Sequence, residues 1–192
     1  MLLTGAFATS ASAVTVATGG TGSTGAGGFT LLSGNAISDV GNAAYFNGAT
    51  VPASDWVWDL VGGTVGNQIV FQFKFDLSGF DPNSAVLNGL WGVDNVGTAD
   101  LNGTQLSSLP NAVVGNFNTL HALTAGPSSA AFLAGLNTLS FNVTDVGAPG
   151  AFRASVEITA DRLSAVPLPA ALPLFVTALA GLGFMSRRRK AA

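Results

Sequence analysis

From Ile69 to Leu77 the chain alternates apolar and polar side chains, with Ile69, Phe71, Phe73, Phe75 and Leu77 interleaved by Val70, Gln72, Lys74 and Asp76. In an extended chain a period of two sends successive side chains to opposite faces, so this run gathers its phenylalanines on one side only as a strand with a covered face. Leu139, Phe141 and Val143 alternate in the same way with Ser140, Asn142 and Thr144, and Phe152, Ala154, Val156 and Ile158 with Arg153, Ser155 and Glu157. Softer alternation predicts further strands over Ala44–Phe46, Trp56–Leu60, Ala85–Asp94, Ala99–Leu106 and Phe117–Leu123, divided by turn-forming runs such as Asp81-Pro82-Asn83 and Ala148-Pro149-Gly150. Eight short strands without an amphipathic helix predict an all-β fold, a two-sheet jelly-roll or β-sandwich over residues 29–163.

The remaining residues are divided between two ends of different character. Met1 to Ala13 is a short apolar stretch closing on Ala11-Ser12-Ala13, the small-x-small pattern of a signal-peptide cleavage site, and no Lys or Arg precedes it. Residues 14–28 are rich in Gly, Ser and Thr and read as a flexible leader; Gly20, Gly22 and Gly25 fit G-x-G-x-x-G by spacing but lack the strand before and helix after that a dinucleotide site needs. From Val166 to Ser186 there are 21 residues without a charge. At ~1.5 Å per helical residue they reach about 30 Å, the thickness of a bilayer's hydrocarbon core, which predicts one transmembrane helix within residues 164–192. Arg187, Arg188, Arg189 and Lys190 follow directly, a stop-transfer cluster that stays cytoplasmic and leaves the large domain outside.

Those four residues hold most of the basic charge. Only Lys74, Arg153 and Arg162 remain elsewhere, against ten acidic residues, and an acidic domain of that kind is repelled by phosphate backbones, which excludes nucleic acid as a partner. There is no cysteine, so thiol catalysis and Cys-metal sites are excluded too.

Val166-Pro167-Leu168-Pro169-Ala170, the apolar stretch after it and the terminal Arg cluster together resemble the VPLPA variant of the PEP-CTERM sorting signal. The resemblance implies recognition by an exosortase-type membrane transpeptidase in a Gram-negative bacterium, with the protein held in the inner membrane before processing and then released to the cell surface or an exopolysaccharide matrix. Pro167, Pro169 and Pro173 fit that role physically, because each lacks an N–H and keeps the preceding residue out of the helical region, as an extended protease substrate requires. The middle of the chain, through Phe73–Pro82, Ala85–Asn95, Leu101–Thr104 and Gly135–Asp145, resembles the jelly-roll domains of such proteins, which are related to galactose-binding-like modules. That resemblance implies a capacity to bind sugar.

Catalytic chemistry is sparse. His121 is the only histidine and Glu157 the only glutamate, and neither a G-x-S-x-G elbow nor an H-E-x-x-H helix occurs. The reading is therefore of a protein that is not an enzyme and needs no cofactor or metal. Trp91, Asp94, Asn95 and Asn102 are the candidate glycan contacts, since an aromatic face covers sugar C–H groups while carboxylates and amides bond hydroxyls. For the same residues the alternative is a core Trp91 and a turn at Asp94-Asn95. Two functions stay open: a structural protein of the surface or matrix, and a carbohydrate-binding module.

Overall fold

The computed structural model describes residues 12–22, 28–59, 68–110 and 115–163. The expected signal-peptide core, the Pro motif Val166–Ala170, the apolar span and the cluster Arg187–Lys190 lie outside the described residues. Among the described residues no helix is long and apolar enough to cross a membrane.

Eleven strands make up the described fold: β1 (Ala13–Gly20), β2 (Phe29–Leu31), β3 (Ile37–Asp39), β4 (Val57–Asp59), β5 (Gln68–Asp76), β6 (Val86–Asp94), β7 (Val96–Leu101), β8 (Thr104–Leu109), β9 (His121–Ala125), β10 (Leu136–Thr144) and β11 (Ala151–Asp161). A single-turn helix, α1 (Gly115–Asn118), precedes β9. One sheet runs β3-β4-β11-β6-β9 with β1 also beside β11, and the other runs β2-β5-β10-β7-β8. Every pairing is antiparallel. The expected all-β, two-sheet sandwich is the observed architecture.

Its core is the set of side chains that the alternation selected. β10 and β5 align Phe141 with Phe71 and Leu139 with Phe73, while β11 supplies Phe152 from the facing sheet. Phe71, Phe141 and Phe152 are fully buried, with ring centroids 4.5 Å apart for Phe71–Phe152 and 4.8 Å for Phe141–Phe152. Sheets about 10 Å apart interdigitate in this way when each contributes one apolar face.

Four local expectations are corrected. The segment 14–28 is not wholly a leader: Ala13–Gly20 pairs with β11 from Ala13↔Asp161 to Gly20↔Ser155, so the described fold includes β1 ahead of residue 29. Ala44–Phe46 is a turn, because the Asn42 side chain accepts the Ala44 N–H at 2.9 Å and folds the chain locally instead of leaving it extended. Ala99–Leu106 is not one strand: Asn102 and Gly103, at φ 51° and 84°, make the two-residue turn between β7 and β8 that positive φ at both positions allows. Within Phe117–Leu123 the first residues belong to α1, and the strand starts at His121.

Candidate functional site

Seventeen residues, 40–56, join β3 to β4, far more than a hairpin needs, and such a loop must find its own reasons to hold one shape. At its base the Val40 N–H donates to the Trp56 carbonyl at 2.8 Å. Tyr45 and Trp56 are buried with ring centroids 4.8 Å apart, and with Ala151 they form a small core separate from the main one, against which Phe46, Phe117 and Leu120 pack. The Trp56 indole N–H donates to the Phe46 carbonyl at 2.7 Å, and the Phe46 N–H to the Phe117 carbonyl at 2.9 Å.

Arg153 fastens this loop to the sheet. Ala151 to Val156 are all buried, so the guanidinium leaves water and has to be satisfied by protein. Its Nε donates to Ser54 Oγ at 3.0 Å, Nη1 to the Phe46 carbonyl at 2.8 Å and Nη2 to the Gly48 carbonyl at 2.9 Å. Burial lowers its pKa from the ordinary value, and the charge of Asp55 pulls in the opposite direction. Farther round the loop, the Ser155 hydroxyl donates to the Pro52 carbonyl at 2.7 Å and the Thr21 hydroxyl to the Asp55 carbonyl at 2.6 Å.

Between loop and sheet lies a cleft of about 670 Å³, within the usual range of small-molecule sites. Its rim carries the exposed residues Asp39, Asn42, Asn47 and Asp55, and its floor the buried Tyr45, Trp56, Ser54 and Arg153. Carboxylates accept from hydroxyls, a guanidinium donates to them and amides do both, so the lining can pair with the hydroxyls of a polyol. A guanidinium has five N–H groups, of which three are engaged by the loop.

The glycan contacts expected from sequence fall elsewhere. Trp91 is fully buried, its ring 5.6 Å from that of Phe141 and its indole N–H 3.2 Å from Ser107 Oγ, so it has no face open to a sugar. Asn102 is a turn residue whose amide donates to the Ala131 carbonyl and to Asn137 Oδ1 and accepts from the Thr138 N–H. Asp94 and Asn95 do meet, the Asn95 amide donating to Asp94 Oδ1. Asn95 also accepts the Val146 N–H at 2.7 Å on its side chain and the Asn116 amide at 2.7 Å on its carbonyl. Asp94 nonetheless serves the cleft from behind, because the Tyr45 hydroxyl lies 3.0 Å from Asp94 Oδ2 and 3.1 Å from the Pro149 carbonyl. Burial raises the Asp94 pKa above the usual carboxylate range, opposed by the Tyr45 hydrogen bond and assisted by the charge of Asp145. Burial, with the Asp94 hydrogen bond and the charges of Asp94 and Asp145 adding to it, raises the Tyr45 pKa well above that of a free phenol. His121 pairs with Trp91 across β9 and β6, and its Nε2 is 3.0 Å from the Gly115 carbonyl. Among the described residues no three His, Cys, Asp or Glu side chains gather as a metal site would require.

Sequence reasoning missed Arg153, Asn42, Asn47 and Asp55. The one pointer in the sequence is a Gly/Asn run enclosing Tyr45-Phe46 in Gly41-Asn42-Ala43-Ala44-Tyr45-Phe46-Asn47-Gly48, since Arg153 itself stands at a polar position of the alternating strand.

No protein-family model matches this chain, and no curated protein does. Among solved structures it is similar to a cyclase from Fischerella sp. TAU, at 14% identity and a TM-score of 0.47, over 80% of this chain and 100% of the other. It is also similar to a family 35 carbohydrate-binding module from an environmental isolate, at 18% identity and a TM-score of 0.39, over 74% and 93% of the two chains. A third is an exo-beta-1,3-galactanase from Phanerochaete chrysosporium crystallised with galactose, at 11% identity and a TM-score of 0.34, over 78% of this chain and 29% of the other. The expectation that the chain is not an enzyme is withdrawn, since cyclases stand among the structures it is similar to.

Proposed function

We propose that this chain is an exported protein of the cell surface or exopolysaccharide matrix that binds a saccharide in the cleft between the β3–β4 loop and β11. The observation carrying this reading is the cleft lining: Asp39, Asn42, Asn47 and Asp55 around the rim, with Arg153 and two aromatic residues below. Sugar recognition combines polar groups of both senses with apolar ring surface, and a loop fastened by buried hydrogen bonds holds them in place without a large ordering cost on binding.

The address is read from sequence. Val166-Pro167-Leu168-Pro169-Ala170, the uncharged stretch and Arg187–Lys190 support sorting by an exosortase-type enzyme, with the chain held in the inner membrane until it is processed. A glycan array probed with residues 12–163 tests the binding half: retention of at least one glycan class supports it, and a blank array counts against it. Mass spectrometry of the mature C-terminus, in a strain carrying the matching enzyme, tests the sorting half. The protein is expected to end close to Val166–Ala170, and one that still carries Arg187–Lys190 defeats the processing step.

A further inference from the structure

We propose that Asp94 is a positioning residue of the cleft and acts through a proton: with the proton in place Tyr45 clasps the 40–56 loop to residues 145–150, which join β10 to β11, and without it the clasp opens. This deepens the saccharide reading above, on which it rests, by naming what regulates that site.

A phenol carries one hydrogen, yet the Tyr45 hydroxyl has two acceptors within reach, Asp94 Oδ2 at 3.0 Å and the Pro149 carbonyl at 3.1 Å. An ionised Asp94 can only accept, so the hydroxyl must then leave one of the two unserved. A protonated Asp94 removes the conflict: its Oδ2–H donates to the phenol oxygen, and the phenol donates onward to Pro149. The proton falls on that oxygen because Oδ1 already accepts from the Asn95 amide. Asp94 is 5% and Tyr45 6% exposed, and out of water a polar group without its partner costs most.

The surroundings act on the same proton. Burial raises the Asp94 pKa most, the Tyr45 hydrogen bond opposes it, and the charge of Asp145 adds to it from the β10–β11 side. Asp145 is itself buried and accepts the Gly147 N–H at 2.8 Å. Tyr45 keeps its hydrogen throughout, since burial and the two carboxylates raise its pKa well above that of a free phenol. Of the other elements at this end, β11 directs the Arg153 guanidinium to Ser54, Phe46 and Gly48, β9 places His121 Nε2 3.0 Å from the Gly115 carbonyl, and α1 carries no acidic or basic residue. Tyr45 and Trp56 form the aromatic floor of the cleft, so the clasp holds the surface on which a saccharide would rest. The cleft is therefore firm on the acid side of the folded Asp94 pKa and loosens as pH rises through it, and affinity for a saccharide falls in the same direction.

Tyr45 is the only tyrosine in the chain, so the full chain made with tyrosine isotope-labelled at Cζ gives one NMR signal to follow. In detergent, that signal should move in a single step as pH rises, with its midpoint above the usual carboxylate range. Asp94→Asn should show no step, because its amide is neutral at every pH and can donate where the carboxyl did. Asp145→Asn should keep the step and lower its midpoint, since a charge that opposes ionisation is gone. A flat wild-type titration, or a step that survives Asp94→Asn, overturns the proposal. Hydrogen exchange on the wild type alone gives the second reading: corrected for the intrinsic pH dependence of exchange, the Phe46 N–H should exchange on the order of fivefold faster above the step, the effect of losing about one hydrogen bond. An unchanged corrected rate overturns the proposal equally. Neither measurement needs a saccharide, so their failure strikes the proton clasp alone, whereas a blank glycan array strikes the ligand assigned to the cleft.

Discussion

Arg153 is the residue on which the loop depends most. Its three acceptors, Ser54 Oγ and the carbonyls of Phe46 and Gly48, are uncharged, so its desolvation is offset by hydrogen bonds that keep the charged form well solvated by protein. Arg153→Met keeps the stem and removes every donor, which should cost ~2–4 kcal/mol in urea unfolding. Arg153→Lys should recover little of this, since one ammonium cannot reproduce a planar fork reaching separate acceptors. Asp94 behaves in the opposite sense. Its folded pKa is raised by burial, so the folded state holds the proton more tightly than the unfolded one, and the group's contribution to stability declines as pH rises from the unfolded pKa through the folded one. Asp94→Asn retains an acceptor for the Tyr45 hydroxyl and has no charge to bury. Its stability relative to the wild type should therefore be highest above the folded pKa of Asp94 and fall as the solution is acidified toward pH ~4. Urea midpoints across that interval check the direction, and a gap that widens on acidification contradicts it.

At the scale of elements, legibility in the sequence followed burial. β5, β10 and β11 each cover one face with Phe, Leu, Ile or Val, and that alternation survives any uncertainty about partners. β1 was illegible because Ala13-Val14-Thr15-Val16-Ala17-Thr18-Gly19-Gly20 is built of small residues, and its pairing with β11 lies about 140 positions away. The cleft was illegible for the same reason, since Arg153 meets its loop partners across 99 to 107 positions. Trp91, by contrast, could be read either way, and alternation with Leu87 and Val93 in β6 proved the better guide than its neighbourhood of Asp94 and Asn95. The glycines of β1 also carry structural information. A Cβ on Gly20 would lie 1.9 Å from the Ala53 carbonyl oxygen, a backbone atom that cannot swing aside, so β1 and the cleft loop touch there through a position only glycine fits. Gly20→Ala should cost ~1–3 kcal/mol, read as a lowered urea midpoint, and should disturb the loop. An unchanged midpoint would mean that β1 does not dock against the loop as described.

At the scale of the whole molecule, two sheets hold a buried aromatic core between them, and the first and last strands meet with Ala13 beside Asp161 at one end of β11, while the 40–56 loop that builds the cleft is held by Arg153 near the other. Outside the terminal cluster the acidic residues outnumber Lys74, Arg153 and Arg162, and Asp39 and Asp55 both line the cleft, so uncharged polyols suit it better than acidic ones. The most direct test takes a glycan identified on the array and measures its affinity by calorimetry for residues 12–163 and for Asn47→Ala and Asp55→Ala. Both side chains are exposed on the rim, so the unfolding midpoints should stay within ~0.5 kcal/mol of the wild type. Each variant should bind about tenfold more weakly, the loss of ~1.4 kcal/mol expected when hydrogen bonds to a ligand are removed. Wild-type affinity in both variants, with the glycan still bound, would place the binding site elsewhere on the molecule and contradict the assignment of the cleft.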